Sequence, residues 1–378
     1  MILFALLLLV IGTYAVTLLA CAVAWYKLPR LQAKPPHDVA FFSVIVPVKD
    51  EAATILQLLQ DLEGQDYPPS NFEVLVIDDH STDSTPSLVQ NFLATSSLNL
   101  RVLFLASFPE NRLKKGAIAV GVSQAKGDWI ACTDGDCRVP AAWLSSINQC
   151  RVEQQAKFIS GPVAFASDGS WFQQLQALEF SALIGVGAAS IGLTLPTMCN
   201  GANLAYEKSA FLEVNGFSGN AHLPSGDDEF LMHKIHQREA GCVAFLKDRN
   251  ATVYTKATNS FTSFIEQRKR WASKWKHYTL AAPKALALLV LVGNISLWLA
   301  LVATIALGVS WSWFLLLVVL KLVADAFLLY QVLGFFQNRK LLLHLGLLQL
   351  VYVPYILATA ILGWRGTYAW KDRQHVAA

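Results

Sequence analysis

Residues 1–26 and 285–320 carry no charged side chain, whereas the chain between Lys27 and Lys284 has the charge content of an ordinary globular protein. An apolar run of roughly 18 or more residues is long enough to cross a bilayer as a helix. Inside hydrocarbon only helices and closed barrels satisfy their own backbone hydrogen bonds. The pattern therefore restricts the chain to a water-facing domain bracketed by apolar helices. The first run, MILFALLLLVIGTYAVTLLACAVAWY, has no positive region ahead of it and is too long for a cleaved signal. It reads as an uncleaved anchor over 1–26. Lys27, Arg30 and Lys34 follow it, which by the positive-inside rule puts the next segment in the cytoplasm.

Three more spans are expected within 284–364, near 285–308, 312–335 and 341–363. SWSW fits an outside turn and QNRK an inside one. The tail, 365–378, then falls outside although it carries Arg365, Lys371 and Arg373, against the charge rule. The expected location is integral and multi-pass, in a bacterial inner membrane or its equivalent, with the middle domain cytoplasmic.

Other classes are disfavoured. The net charge of +3 is small and not gathered into a stripe, so no nucleic-acid partner is expected. Six cysteines without CxxC or CxxH spacing indicate neither a zinc site nor a disulfide framework. No GxGxxG or P-loop pattern occurs.

The middle domain alternates two periodicities. FFSVIVPV, FEVLVIDD, RVLFLA and DWIACTD read as buried strands. EAATILQLLQDLEG, STDSTPSLVQNFLA and LKKGAIAVGVSQAKG read as the intervening helices, the second with Ser and Asp available as N-caps. Such alternation implies an α/β fold with a mostly parallel sheet, whose ligands bind beyond the carboxyl ends of its strands. Asp78, Asp79, Asp134 and Asp136 all fall at such ends. Two carboxylates flanking one glycine repel each other unless a cation or proton joins them. Mg²⁺ or Mn²⁺, which prefers oxygen ligands, can bridge them to a diphosphate. A plain Asp-Gly turn is the other reading of this stretch.

Six motifs occur in order: VPVKDEA (46–52), VIDDHSTDST (76–85), KKGAIAVG (114–121), CTDGDC (132–137), SGDDEFL (225–231) and QRKRW (267–271). The set resembles the family 2 glycosyltransferases, of inverting GT-A type. The similar branch is the membrane-embedded one with a QxxRW motif, which includes ceramide glucosyltransferases and cellulose, chitin and hyaluronan synthases. The resemblance covers about 42–280 and implies a GT-A (Rossmann-like) domain over 40–280. It further implies a nucleotide-diphosphate sugar donor, by base rate a UDP-sugar, and a divalent cation. Carried over residue by residue, Pro47, Glu51, Asp79, Lys114 and Asp134 bind the nucleotide sugar, with Lys115 the alternative to Lys114. Asp136 holds the metal as the second acid of a DxD pair. Asp228 is the catalytic base, with Asp227 where the family more often has Glu. Arg270 assists catalysis, and Gln267 and Trp271 face acceptor or product.

Like-charge neighbours can raise a carboxyl's pKa, which suits a base, and SGDDEFL clusters three acids. The cluster also reads as an acidic helix N-terminus, and QRKRW as a basic patch on lipid headgroups. WFQQLQALEFSALIGVGAASIGLTLP is apolar but too interrupted by small residues to count as a spanning helix. By resemblance, 171–206 is a possible interfacial acceptor segment. Lys321 and Asp325, four apart within an apolar span, read as an internal pair rather than a substrate contact.

The function these readings imply is transfer of a sugar to a lipid-linked or glycan hydroxyl at the cytoplasmic face. Four spans give little wall for a polymer channel, so a processive polysaccharide synthase subunit is the second reading. An inactive nucleotide-binding scaffold of an export complex is the third.

Overall fold

The computed structural model describes residues 2–32, 38–111, 113–166, 169–365, 367–370 and 373–376, without the side chains of 275, 360 and 362–376. Lys34 and the charges of Arg365, Lys371 and Arg373 lie outside the described residues. The chain begins with helix α1 (Ile2–Lys27). Alternating strands and helices follow: β1 (Phe42–Val48), α2 (Ile55–Glu63), β2 (Phe72–Asp78), α3 (Thr85–Thr95), β3 (Leu100–Phe104), α4 (Leu113–Gln124) and β4 (Trp129–Cys132). All four strands stand where the apolar runs predict them. Gly64 ends α2, while Asp83 rather than Ser84 caps α3, its Oδ1 accepting from Thr85 N at 2.9 Å.

The second half adds α5 (Trp143–Gln154), β5 (Phe158–Ser160), β6 (Val163–Phe165), α6 (Trp171–Gly192), β7 (Leu204–Glu207), α7 (Lys208–Glu213), α8 (Glu229–Arg238), β8 (Val243–Phe245), β9 (Val253–Thr255) and α9 (Phe261–Ala272). The main sheet has the order β3-β2-β1-β4-β7-β5-β8, with β7 antiparallel to both neighbours and the other pairs parallel. Its strand order reverses between β1 and β4, which opens a crevice beyond their carboxyl ends. Pro47 is tolerated in central strand β1 by phase. Val48 O faces β2, accepting from Asp79 N at 2.8 Å, while Ile45 O faces β4, accepting from Thr133 N. Pro47 shares the phase of Ile45, and β4 stops pairing at Ile45↔Cys132, so no ladder bond is lost there.

Three long helices complete the chain, α10 (Ala281–Leu307), α11 (Trp311–Phe335) and α12 (Leu345–Arg365). Among the described residues, five helical stretches are long and apolar enough to cross a membrane: 2–27, 171–192, 281–307, 311–335 and 339–359. The one at 171–192 departs from the sequence reading, for α6 is continuous. Ser170 and Gln173 form a capping box at its start. Its small residues are contact surface rather than interruptions. A Cβ added at Gly185 would meet Val332 Cγ2 of α11 at 2.5 Å, and one at Gly187 would meet Met198 at 2.9 Å.

Helix α1 is more than a tether. It packs against α6, α10 and α11. Tyr14 donates to Asp325 Oδ1 at 2.6 Å, and Lys247, beyond β8, donates to the Trp25 carbonyl. Trp25 packs on Phe245 and Phe335 at centroid distances of 5.9 and 5.5 Å. The α/β domain and the apolar helices thus share one core.

Candidate active site

Asp134 and Asp136 lie in a turn directly after β4, closed by Cys137 N donating to Asp134 O at 3.1 Å. Arg138 fixes the exit through Asp61, at 2.5 and 2.7 Å. Gly135 sits against the end of β1, where an added Cβ would lie 2.9 Å from Val48 Cγ1 and 3.1 Å from Glu51 Cγ. What the glycine admits is the protein's own neighbouring loop. Ligand atoms of Asp134, Asp136 and Cys137 all lie within 4.8 Å of one another. Burial and the Asp136 charge hold the Cys137 thiol well above its ordinary pKa. The fitting donor set is therefore two carboxylates, which suit a hard divalent cation.

Lys114, on α4, reaches across the crevice. Its Nζ is 2.6 Å from Asp134 Oδ1 and 3.3 Å from Asp227 Oδ2. Burial would lower the ammonium's pKa, but Asp134 and Asp227 outweigh it and raise it. The same contact decides Asp227, where burial pushes upward and Lys114 overrides it, leaving the carboxyl below its ordinary value. Lys115 turns away, donating to Asn220 O at 2.7 Å, and burial lowers it to about 8. Of the two lysines, Lys114 faces the acids.

Asp228 caps α8, its Oδ1 accepting from Glu229 N at 2.7 Å and its Oδ2 from Gly201 N at 3.0 Å. That bond ties it to the loop after α6. Glu229 pairs with Lys274 at 2.9 Å and accepts from Tyr278 at 2.6 Å. Burial raises Glu229, with Lys274 opposing and Asp228 reinforcing. The mutual elevation expected across the acid cluster is thus unequal. Glu229 rises because burial and Asp228 outweigh Lys274, and Asp227 falls because Lys114 outweighs its burial.

QRKRW lies on α9. Arg268 turns inward to Glu179 of α6 at 2.6 Å, both nearly fully buried, and its guanidinium stacks 4.2 Å from the Trp271 ring centroid. Tyr355 of α12 also donates to Glu179. Gln267 Oε1 accepts from Arg268 at 2.6 Å. This joint of α6, α9 and α12 escapes motif reading, although Glu179 has one signal, as the lone acid of the apolar 171–196 stretch.

One cavity of about 670 Å³ gathers Lys114, Asp134, Asp136, Asp228, Gln267, Arg270 and Trp271, with Asp227 and Glu229. It continues between α6, α10, α11 and α12 to Lys321 and Gln349. Pro47, Glu51 and Asp79 are not part of this lining. Pro47 is the last residue but one of β1, Glu51 abuts Gly135 just after that strand, and Asp79 N donates to Val48 O. The loops after β1 and β2 are stitched together: Glu51 N donates to Thr85 Oγ1 at 2.8 Å, and Thr82 N to Asp50 Oδ1 at 2.7 Å. Asp79 is buried and contacts His80 Nδ1 at 3.0 Å, while Asp78 holds its loop by accepting from Ser81 N.

The family model described as Glycosyl transferase family 2 matches residues 43–213. That for Glycosyl transferase family group 2 matches 129–329, more than half of the chain. The chain belongs to glycosyl transferase family 2. Within that family it is similar to the glycosyltransferase AglE of Haloferax volcanii, 38% identical over 104 residues, covering 28% of this chain and 33% of that protein. It is 29% identical over 268 residues to a beta-monoglucosyldiacylglycerol synthase of Nostoc, covering 67% of this chain and 53% of that protein. The chain spans about half the length of these curated relatives, or less. The mannosyltransferase PcManGT of Pyrobaculum calidifontis, solved with GDP-Man and Mn²⁺, superposes with a TM-score of 0.60 at 18% identity. The match covers 96% of this chain and 99% of that one, and places this family 2 member in the GT-A fold.

Proposed function

We propose that the protein is a membrane-embedded, inverting glycosyltransferase that moves a sugar from a nucleotide-diphosphate donor, with UDP the nucleotide of first choice, to a lipid acceptor at the cytoplasmic face. The observation that carries this reading is that one cavity holds both acid clusters and continues among membrane-length helices. Named relatives act on lipids, among them the diacylglycerol-linked synthase and an undecaprenyl-phosphate transferase.

Pro47, Glu51 and Asp79 hold the nucleoside. Asp134 and Asp136 would hold a divalent cation, which supplies charge neutralisation to the diphosphate when bound. Asp228 removes the proton from the acceptor hydroxyl as that oxygen bonds to the anomeric carbon. The bond from that carbon to the diphosphate breaks, and its electron pair leaves with the diphosphate. Arg270 and Lys114 stabilise the developing negative charge. Lys114 already bridges the two acid clusters, so a diphosphate oxygen competes with Asp134 for the same ammonium. Gln267 and Trp271 present a polar edge and an apolar ring to the acceptor.

The test is product mass. Protein in nanodiscs is incubated with Mn²⁺, a panel of nucleotide sugars and total lipid extract, and the lipids are analysed by mass spectrometry. The expected product is one lipid species heavier by a single glycosyl unit. A ladder of many units would favour the polymerising reading, and unchanged lipids with every donor would overturn this one.

A further inference from the structure

Of the five residues of QRKRW, Arg268 alone is buried, and the reaction as proposed gives it no part. Its side chain is 4% exposed and that of its partner Glu179 is 5% exposed. The guanidinium divides its donors between two acceptors. Nε and Nη2 donate to Glu179 Oε2 at 3.2 and 2.6 Å, and Nη1 donates to Gln267 Oε1 at 2.6 Å. Tyr355 of α12 donates to Glu179 Oε1, so both carboxylate oxygens are engaged. Two rings of α9 itself hold the guanidinium, Phe264 and Trp271, with centroids 4.6 and 4.2 Å away. They stand four residues before it and three after, the spacing at which side chains on a helix meet. A guanidinium over an aromatic face is attracted to it. Helices α6, α9 and α12 therefore fix this one group between them.

The consequence falls on Gln267. A guanidinium donates and never accepts. The Gln267 amide must therefore turn its oxygen toward Arg268, which commits the other end of the amide, its N–H pair, to the opposite side. Gln267 lines the cavity, and its Nε2 donates to no protein group among the described residues. Without Arg268 the amide can turn over, because its two ends are of similar size, and present an acceptor where it now presents a donor. A long polar side chain also loses rotamer freedom when it is fixed. Fixing it in the folded protein removes that loss from the binding step.

Resting on the transferase reading, we propose that Arg268 and Glu179 are positioning residues that act through Gln267. Glu179 seats the guanidinium, the guanidinium holds the Gln267 amide oxygen, and the amide N–H pair is thereby presented to an oxygen of the acceptor. Orientation is what the buried pair contributes, since such a pair by itself adds little net stability. Lysine at 268 would keep a charge for Glu179 but lacks the planar fork that serves two acceptors at once.

A double-variant cycle on the full chain in nanodiscs tests this. Nucleoside diphosphate release is followed with the panel of nucleotide sugars and Mn²⁺ at rising mole fractions of total lipid extract. Rates are counted per Mn²⁺-dependent nucleotide-binding site, so that only folded protein is compared. Gln267→Met and Arg268→Lys should each lower the initial slope of rate against lipid about fivefold, the worth of one ordinary hydrogen bond, with nucleotide affinity unchanged. Combined, they should lower it no further than either alone, because both break the same contact. Independent structural roles would instead multiply, to about 25-fold. Gln267→Glu, which keeps an oxygen for Arg268 but loses the N–H donors, should be no faster than Gln267→Met. If Arg268→Lys does not fold, Glu179→Gln with Arg268→Met removes both buried charges and should show the same loss and the same non-additivity with Gln267→Met. Losses that multiply, a Gln267→Glu variant of full rate, or an undiminished rate in Arg268→Lys would overturn the positioning role and leave the transferase reading standing. Unaltered protein that releases diphosphate from no donor would overturn both.

Discussion

The Lys114 ammonium bridges Asp134 and Asp227, at 2.6 and 3.3 Å, and so joins the turn after β4 to the start of α8. The two acid clusters thus share one counter-ion.

That bridge has a pH signature. Lys114 holds Asp227 below its ordinary value, so the pair's contribution to stability is fully present above the unfolded carboxyl range, about pH 4. It is lost as pH falls through the lowered value. Lys114→Met should therefore lower thermal stability most near neutrality, and its gap from the unaltered protein should narrow below about pH 4. Melting in nanodiscs across this range checks it. A gap that stays constant down to acid pH would show that Lys114 does not set the ionisation of Asp227.

Gly135 makes a prediction about donor binding alone. A methyl group there meets Val48 and Glu51 at 2.9 and 3.1 Å, so the Asp134–Asp136 turn must shift. Gly135→Ala should weaken Mn²⁺-dependent nucleotide binding at least tenfold, with circular dichroism unchanged. Titration calorimetry reads this directly, and unaltered affinity would mean that this turn is not part of the donor site.

The buried pair Lys321–Asp325, 2.7 Å apart and shared with Gln349 and Tyr14, predicts a particular non-additivity. Removing one partner of a buried pair leaves an uncompensated charge, at a cost of about 3–5 kcal/mol, whereas replacing both with apolar residues is often nearly neutral. Lys321→Met should melt well below the unaltered protein, and Lys321→Met with Asp325→Leu should recover most of the loss. A double variant as unstable as the sum of its parts would assign the two charges separate partners.

Much of this architecture was legible in the chain. Strands β1 to β4 carry strong apolar runs between capped helices, and their ends place Asp78, Asp79, Asp134 and Asp136 along one edge. Strands β5, β7 and β8 are only three or four residues long and leave no periodicity to read. Helix α6 was obscured because its glycines serve contacts with Val332 and Met198, partners that sequence spacing does not reveal. Within QRKRW the motif gives residue types but not helix phase, so Arg268's turn toward Glu179 emerges only from α9 packing on α6 and α12. The counter-ions Lys114 and Lys274 likewise reach their acids from distant elements, which is why the pKa pattern of the Asp227–Glu229 cluster departs from simple like-charge repulsion.

The most direct test of the account is nucleoside diphosphate release. Purified protein in lipid nanodiscs is given each nucleotide sugar in turn, with Mn²⁺ or with EDTA, alongside Asp228→Asn. The expected result is release with one donor, abolished by EDTA and reduced about 10²–10⁴-fold by Asp228→Asn while nucleotide binding persists, the usual range for loss of a general base. A folded protein that binds nucleotide yet releases diphosphate from no donor, or an Asp228→Asn variant of undiminished rate, would contradict it.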